Sequence, residues 1–147
     1  MSGPFTLQLR AIAERTKDKA NLVCRKLLFD VSTSLVMKSP VGDATYWVNK
    51  PPPGYVGGRF RANWQFATGR IDQTTTETTD KSGSATEARL HAEVPENAAG
   101  VFFITNSLPY AKRIEDGWSR RQAPAGVVGL TWVEWRDYLN RIIVELR

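Results

Sequence analysis

Apolar and polar positions follow three rhythms along the chain. In the first, Leu9, Ile12, Thr16, Ala20, Val23, Leu27, Val31 and Leu35 recur at spacings of three or four, and Ala13, Cys24 and Leu28 widen the stripe. That periodicity predicts one α-helix over residues 7–37. At 1.5 Å per residue, some thirty residues make a rod of roughly 45 Å, which must lie across the whole fold or project beyond it. Ser39-Pro40 closes it, because proline disfavours helical backbone in the residue before it.

The second rhythm is alternation. Phe60, Ala62, Trp64, Phe66 and Thr68 share one side, with Arg61, Asn63 and Gln65 on the other, which predicts a strand with one buried face. The threonine-rich segment 74–80 predicts a polar strand end, and Lys81-Ser82-Gly83-Ser84 a hairpin tip. A second strand is expected over 86–94, with Ala88, Leu90, Ala92 and Val94 inward and Glu87, Arg89, His91 and Glu93 outward. The apolar run 101–106 predicts a central strand buried on both faces, and 127–130 a short edge strand. Between them a short helix opens near Pro109 and stops at Gly117.

The third rhythm is helical again. Thr131 and Glu134 have the spacing of a capping box, and Trp132, Trp135, Leu139, Ile142 and Leu146 then repeat every three or four residues. The expected fold is α+β in one domain spanning residues 1–147. An antiparallel sheet of three to four strands is packed by a long N-terminal helix, a short middle helix and a C-terminal helix.

Two stretches obey no rhythm. Residues 40–60 carry a triple proline and several glycines together with Tyr46, Trp47, Tyr55 and Arg59; residues 117–127 carry Trp118, Arg120 and Arg121. Long irregular connections with aromatic and basic residues favour a binding role, since Trp, Tyr and Arg are enriched at interfaces.

Composition narrows the chemistry. The chain has 147 residues, a net charge of +5, one cysteine and one histidine. Cys24 alone forms no internal disulfide, and Cys24 with His91 cannot complete a four-ligand zinc site, so a reducing cytoplasm is the expected compartment. No apolar run approaches the ~20 residues of a membrane span, and no signal-peptide core opens the chain. No phosphate-cradling, nucleophile-elbow or metalloprotease motif is present; no cofactor, metal or catalytic residue is expected. His91, read on the outward face of a strand, is expected to be solvated.

The charge is unevenly spread: +7 over residues 1–70, −4 over 71–100 and +2 over 101–147. Such segregation suits surfaces that pair with copies of the same chain, and equally suits solvated faces. The basic balance also admits a nucleic-acid-binding domain. Against it, Phe60 and Trp64 alternate with Arg61, which sends them into the core and leaves no stacking platform. Glu115 and Asp116, an acidic pair at the end of a short helix, invite a basic partner; Arg120-Arg121 or Arg59 and Arg61 of a neighbouring subunit would supply it.

Three motifs occur in a familiar order. Ser39-Pro40-Val41-Gly42-Asp43 and, after an insertion, Gly58-Arg59-Phe60-Arg61-Ala62-Asn63-Trp64 form the first. The second runs Ile104-Thr105-Asn106-Ser107-Leu108-Pro109-Tyr110-Ala111, then Lys112-Arg113-Ile114-Glu115-Asp116-Gly117; the third is Gln122-Ala123-Pro124-Ala125-Gly126-Val127-Val128. Together they resemble the tail-component, or tail-completion and head–tail connector, proteins of long-tailed bacteriophages related to the lambdoid phages.

The resemblance implies a non-enzymatic virion protein, assembled in the host cytoplasm, that forms a ring of copies at the head-proximal end of the tail or in the neck. Six copies is the expected number. Neighbouring neck, connector or tail-tube proteins are the implied partners, with phage DNA passing through the lumen without sequence-specific binding and no membrane involved. A tail terminator or another minor tail protein is the structural alternative. A closed ring needs two different complementary patches per subunit. The loop around 40–61 and the loop 117–127 are expected to provide them, through Tyr46, Trp47, Tyr55, Arg59, Arg61, Glu115, Asp116, Trp118, Arg120 and Arg121. Asn106, Pro109 and Gly117 also have purely local roles, as helix entry and helix stop.

Overall fold

Helix α1 (Pro4–Lys38) runs for 35 residues, about 52 Å at the usual rise. Residues 3–147 are described by a computed structural model. Proline at the first helical position opens α1, where its missing amide costs nothing. At the other end Ser39 Oγ donates to the Leu35 carbonyl at 2.6 Å, and the Arg61 guanidinium donates to the Met37 and Ser39 carbonyls at 3.2 and 2.9 Å. The helix therefore ends at Ser39-Pro40, as its sequence predicts.

A one-turn 3-10 segment (Ala44–Tyr46) and a one-turn helix α2 (Arg59–Ala62) follow, then β1 (Trp64–Thr68) and α3 (Ser84–Glu93). Strand β2 (Phe102–Asn106), the short α4 (Ala111–Glu115) and α5 (Val128–Glu145) complete the order. The fold mixes helix and strand, and among the described residues the sheet has two strands where three or four are expected. β1 and β2 are antiparallel, with Trp64 opposite Asn106, Phe66 opposite Ile104 and Thr68 opposite Phe102.

The expected alternation at 60–68 selects the right core residues for a partly wrong reason. Phe60, Ala62, Trp64 and Phe66 are all buried, yet Phe60 and Ala62 reach the core from α2. Asn63 is fully buried as well, at the helix-to-strand corner. It donates to the Arg59 and Thr76 carbonyls and accepts the Thr76 amide at 2.8 Å, stapling the threonine-rich segment alongside.

The expected strand 86–94 is helix α3. Thr86 and Leu90 are its buried positions and Val94 its buried C-cap, four residues apart, and Leu90 is fully enclosed. Asp80 sets its start, accepting the Gly83 amide on Oδ1 and the Thr86 amide and hydroxyl on Oδ2. Those bonds, with that of Ser82, outweigh partial burial and hold the Asp80 carboxyl below its ordinary pKa. His91 is not on an outward sheet face. Its Nε2 lies 3.1 Å from the Phe29 carbonyl and 3.1 Å from Thr33 Oγ1, and its ring packs on Phe29.

Strand β2 is half-buried along its length, because one strand and no second neighbour covers its edges. Residues 127–130 belong to α5 or its entry and not to an edge strand. The expected capping box is displaced too: Thr131 lies one turn inside α5 and bonds Ser34 at 2.8 Å. The stop at Gly117 is as expected. With φ of +84° it turns the chain so that its own amide reaches the Ile114 carbonyl and that of Trp118 the Arg113 carbonyl.

The main core joins Leu35 and Val36 of α1, Phe60, Trp64 and Phe66, Leu90 of α3, and Leu108 and Val127 from the loops. Trp64 Nε1 donates to Ser39 Oγ at 2.7 Å, so the one polar atom of its ring is satisfied inside. Among the described residues no helix is long and apolar enough to cross a membrane.

Candidate interaction surface

The two irregular stretches meet. The Val41 amide donates to Gln122 Oε1 at 2.6 Å, and the Arg121 guanidinium lies 4.8 Å above the Tyr46 ring. Between them opens a groove of about 1030 Å³, walled by Tyr46, Trp47, Trp118, Arg120, Arg121 and Gln122. A cavity of about 790 Å³ shares Trp47 and Ser119 with that groove and reaches Tyr55, Arg59, Phe60 and Tyr110. The two form one cleft with aromatic walls and an arginine rim.

Local packing shapes it. Trp47 and Tyr55 meet edge to face at 4.9 Å, and Arg113 stacks 5.2 Å over Trp118. Loop 40–58 is closed by backbone touching backbone: a Cβ on Gly57 would stand 1.8 Å from the Gly42 carbonyl oxygen. Yet Trp118 remains 70% exposed, Tyr46 49% and Trp47 43%. Large aromatic faces held in fixed positions beside guanidinium groups are suited to bind another macromolecule.

Of the expected contact residues, Tyr46, Trp47, Tyr55, Arg59, Trp118, Arg120 and Arg121 line this one cleft. Arg59 also donates to Glu77 at 2.8 Å and to the Thr76 carbonyl. Three others have different employment. Arg61 closes α1 and donates to the Lys81 carbonyl. Asp116 pairs with Lys112 at 3.2 Å.

Glu115 accepts the Val127 and Val128 amides on Oε2 at 2.9 and 2.8 Å and the Gly129 amide on Oε1 at 2.7 Å. It thus satisfies the open amides at the N-terminus of α5 and ties α4 to α5. Burial favours its neutral form, but the three amides outweigh it and hold the carboxyl below its ordinary pKa. Glu115 is thus bonded within its own chain, and the expected pairing with a neighbour's arginine would add to this bond set. Arg113, Tyr110 and Gln122 also shape this surface and are not among the expected contact residues. Their only signal was membership of the motifs around Tyr110 and Gln122.

A second polar cluster joins α1 to α5. Lys38 Nζ donates to Glu134 at 2.7 Å and to Ser34 Oγ at 2.8 Å, while Tyr138 bonds both Ser34 and Glu134. Burial disfavours the ammonium, yet the bonds to Glu134 and Tyr138 prevail and raise the Lys38 pKa. The same ammonium, then Tyr138, lowers that of Glu134. A lysine kept charged is a poor base for activating a serine, and this arrangement acts as a lock between helices.

Among the described residues no group of three His, Cys, Asp or Glu side chains is placed to hold a metal ion. Comparisons with protein-family models, with curated proteins and with solved structures find no match to this chain.

Proposed function

We propose that this chain is a structural subunit of a tailed-phage virion that assembles in a ring at the head-proximal end of the tail or in the neck, completing the tail and joining it to the head. The observation that carries this reading is the shared cleft. The resembling motifs contribute Pro40, Arg59, Phe60, Tyr110 and Gln122 to its walls, and the segments between them add Tyr46, Trp47, Tyr55, Trp118, Arg120 and Arg121, aromatic and arginine side chains suited to contact and not to bond-making. The lock at Glu115 and the bond from Val41 to Gln122 hold them in place before any partner arrives.

The decisive test is the position of the chain in an imaged virion. A symmetric set of copies at the neck or upper tail is expected; a location elsewhere, or no symmetric neighbours, overturns the reading. Charge reversal at Arg120 and Arg121 is expected to leave heads and tails unjoined. Tight, salt-sensitive binding of mixed-sequence DNA by the isolated protein would instead favour a nucleic-acid-binding role.

A further inference from the structure

Both irregular loops fall on one surface, so the second surface that a closed ring requires must lie elsewhere. Two features of α1 are left without partners. Every residue from 4 to 20 is exposed, including Phe5 at 71%, Leu9 at 51% and Ile12 at 60%. Phe5, Leu9, Ile12, Ala13, Thr16 and Ala20 share one mostly apolar face of this arm, with Lys19 at its edge and Arg10, Glu14, Lys17 and Asp18 on other faces. Further along the same helix, a groove of about 460 Å³ opens among α1, β2 and α5. Leu27, Val31, Phe102, Ile104, Val128 and Trp132 wall it, and among the described residues no charged side chain lines it. Trp132, on the apolar repeat of α5, stands 71% exposed at its rim.

A mostly apolar stripe thus lies beyond an apolar groove. They cannot meet within one chain. The arm and one wall of the groove belong to a single helix with no proline or glycine between Pro4 and Lys38 to bend it back. We infer that the arm of one copy seats in the α1–α5 groove of a second copy. Each chain then gives one arm and receives one, as heterologous contacts demand.

An arm ~25 Å long and ~10 Å wide covers the groove and the face around it, on the order of 250 Å², roughly 500 Å² counted on both surfaces. In a ring each copy makes two such contacts, one through its arm and one through its groove, so about 1,000 Å² per chain is divided between two neighbours. The mode is an amphipathic helix laid into an apolar groove, with anchors at spacings of three and four. This inference rests on the reading of the chain as an assembling subunit, and not on which part of the virion it joins.

The test uses the full chain with Cys24→Ser. One batch carries Ile12→Cys and another Trp132→Cys; they are mixed and treated with a short bifunctional maleimide. Cross-links between the two batches are expected. Cross-links only among Ile12→Cys chains would mean that arms pair with one another and would overturn the inference. Sedimentation across a concentration series provides the second measurement. Leu9→Glu with Ile12→Glu is expected to raise the dissociation constant at least ~30-fold, because it places charge in the contact. Both residues are exposed in the single chain, so at concentrations where the parent chain is itself dissociated circular dichroism should show the same melting temperature for both. Association unaltered by that pair, or a wild-type chain monomeric at every concentration, would overturn arm exchange. Neither result bears on the virion reading, which stands or falls on its own imaging test.

Discussion

Arg121 lies with its guanidinium 4.8 Å above the ring of Tyr46, joining two loops that are far apart in sequence. A cation over an aromatic face at a partly exposed site contributes about 0.5–1 kcal/mol. A double-mutant cycle of Arg121→Ala and Tyr46→Leu, followed by urea unfolding, should return a coupling of that size. Additive effects would show that the two loops hold their positions without this contact.

Glu115 gives a pH dependence with a definite sign. Its carboxyl is held below its ordinary value in the folded chain, so its contribution is present above the unfolded pKa and lost as pH falls through the folded one. Glu115→Gln should destabilise the protein by about 1 kcal/mol at neutral pH, the usual size of a lost helix cap. The difference between variant and parent should shrink at pH below about 4. Thermal melts at pH 7 and pH 3 check it, and equal differences at both would place the effect outside the carboxylate.

Lys38 has the opposite sign. Its raised pKa means that its stabilisation is complete below the unfolded value near 10.5 and fades only as pH climbs above it. Lys38→Met leaves Glu134 and Tyr138 without their cation. Because Glu134 is 40% exposed in its side chain, solvent screens part of the pair, and a loss of about 1 kcal/mol is expected. Glu134→Gln in the Lys38→Met background should then be nearly neutral. A second full loss there would mean that the two residues act independently.

Gly57→Ala probes the cleft without touching its side chains. The added methyl would meet the Gly42 carbonyl oxygen at 1.8 Å, which only backbone movement can relieve. A destabilisation of about 1–3 kcal/mol is expected. The contact of Trp47 with Tyr55 should loosen too, giving stronger quenching of tryptophan emission by added iodide. Unchanged quenching would show that loop 40–58 absorbs the shift elsewhere.

The parts of the fold that were legible in sequence are those decided by neighbouring residues. Ser39-Pro40 ends α1 and Gly117 ends α4 through local geometry, and both were found where expected. Helix α3 was misread because alanine suits either periodicity. The alternation of Ala88, Leu90, Ala92 and Val94 masks the spacing of four that joins Thr86, Leu90 and Val94. The start of α5 was misplaced because its capping group is Glu115, a side chain from another element that no local motif announces. Likewise, the aromatic and basic content of the two irregular loops was visible, whereas their meeting depends on Val41 and Gln122, separated by 81 positions.

The outer part of α1 has one more consequence. Its base is pinned at Asn21, which donates to the Glu96 carbonyl and accepts the Ala98 amide, both at 2.5 Å. Beyond that residue the helix rests on its own ladder of hydrogen bonds, and a stretch of such length is marginal in water without tertiary support. Amide-hydrogen exchange should therefore step abruptly at Asn21, slow on the body side and fast toward Pro4. The arm is a built-in gauge: whatever covers it will be recorded as a wave of protection running outward from that single asparagine.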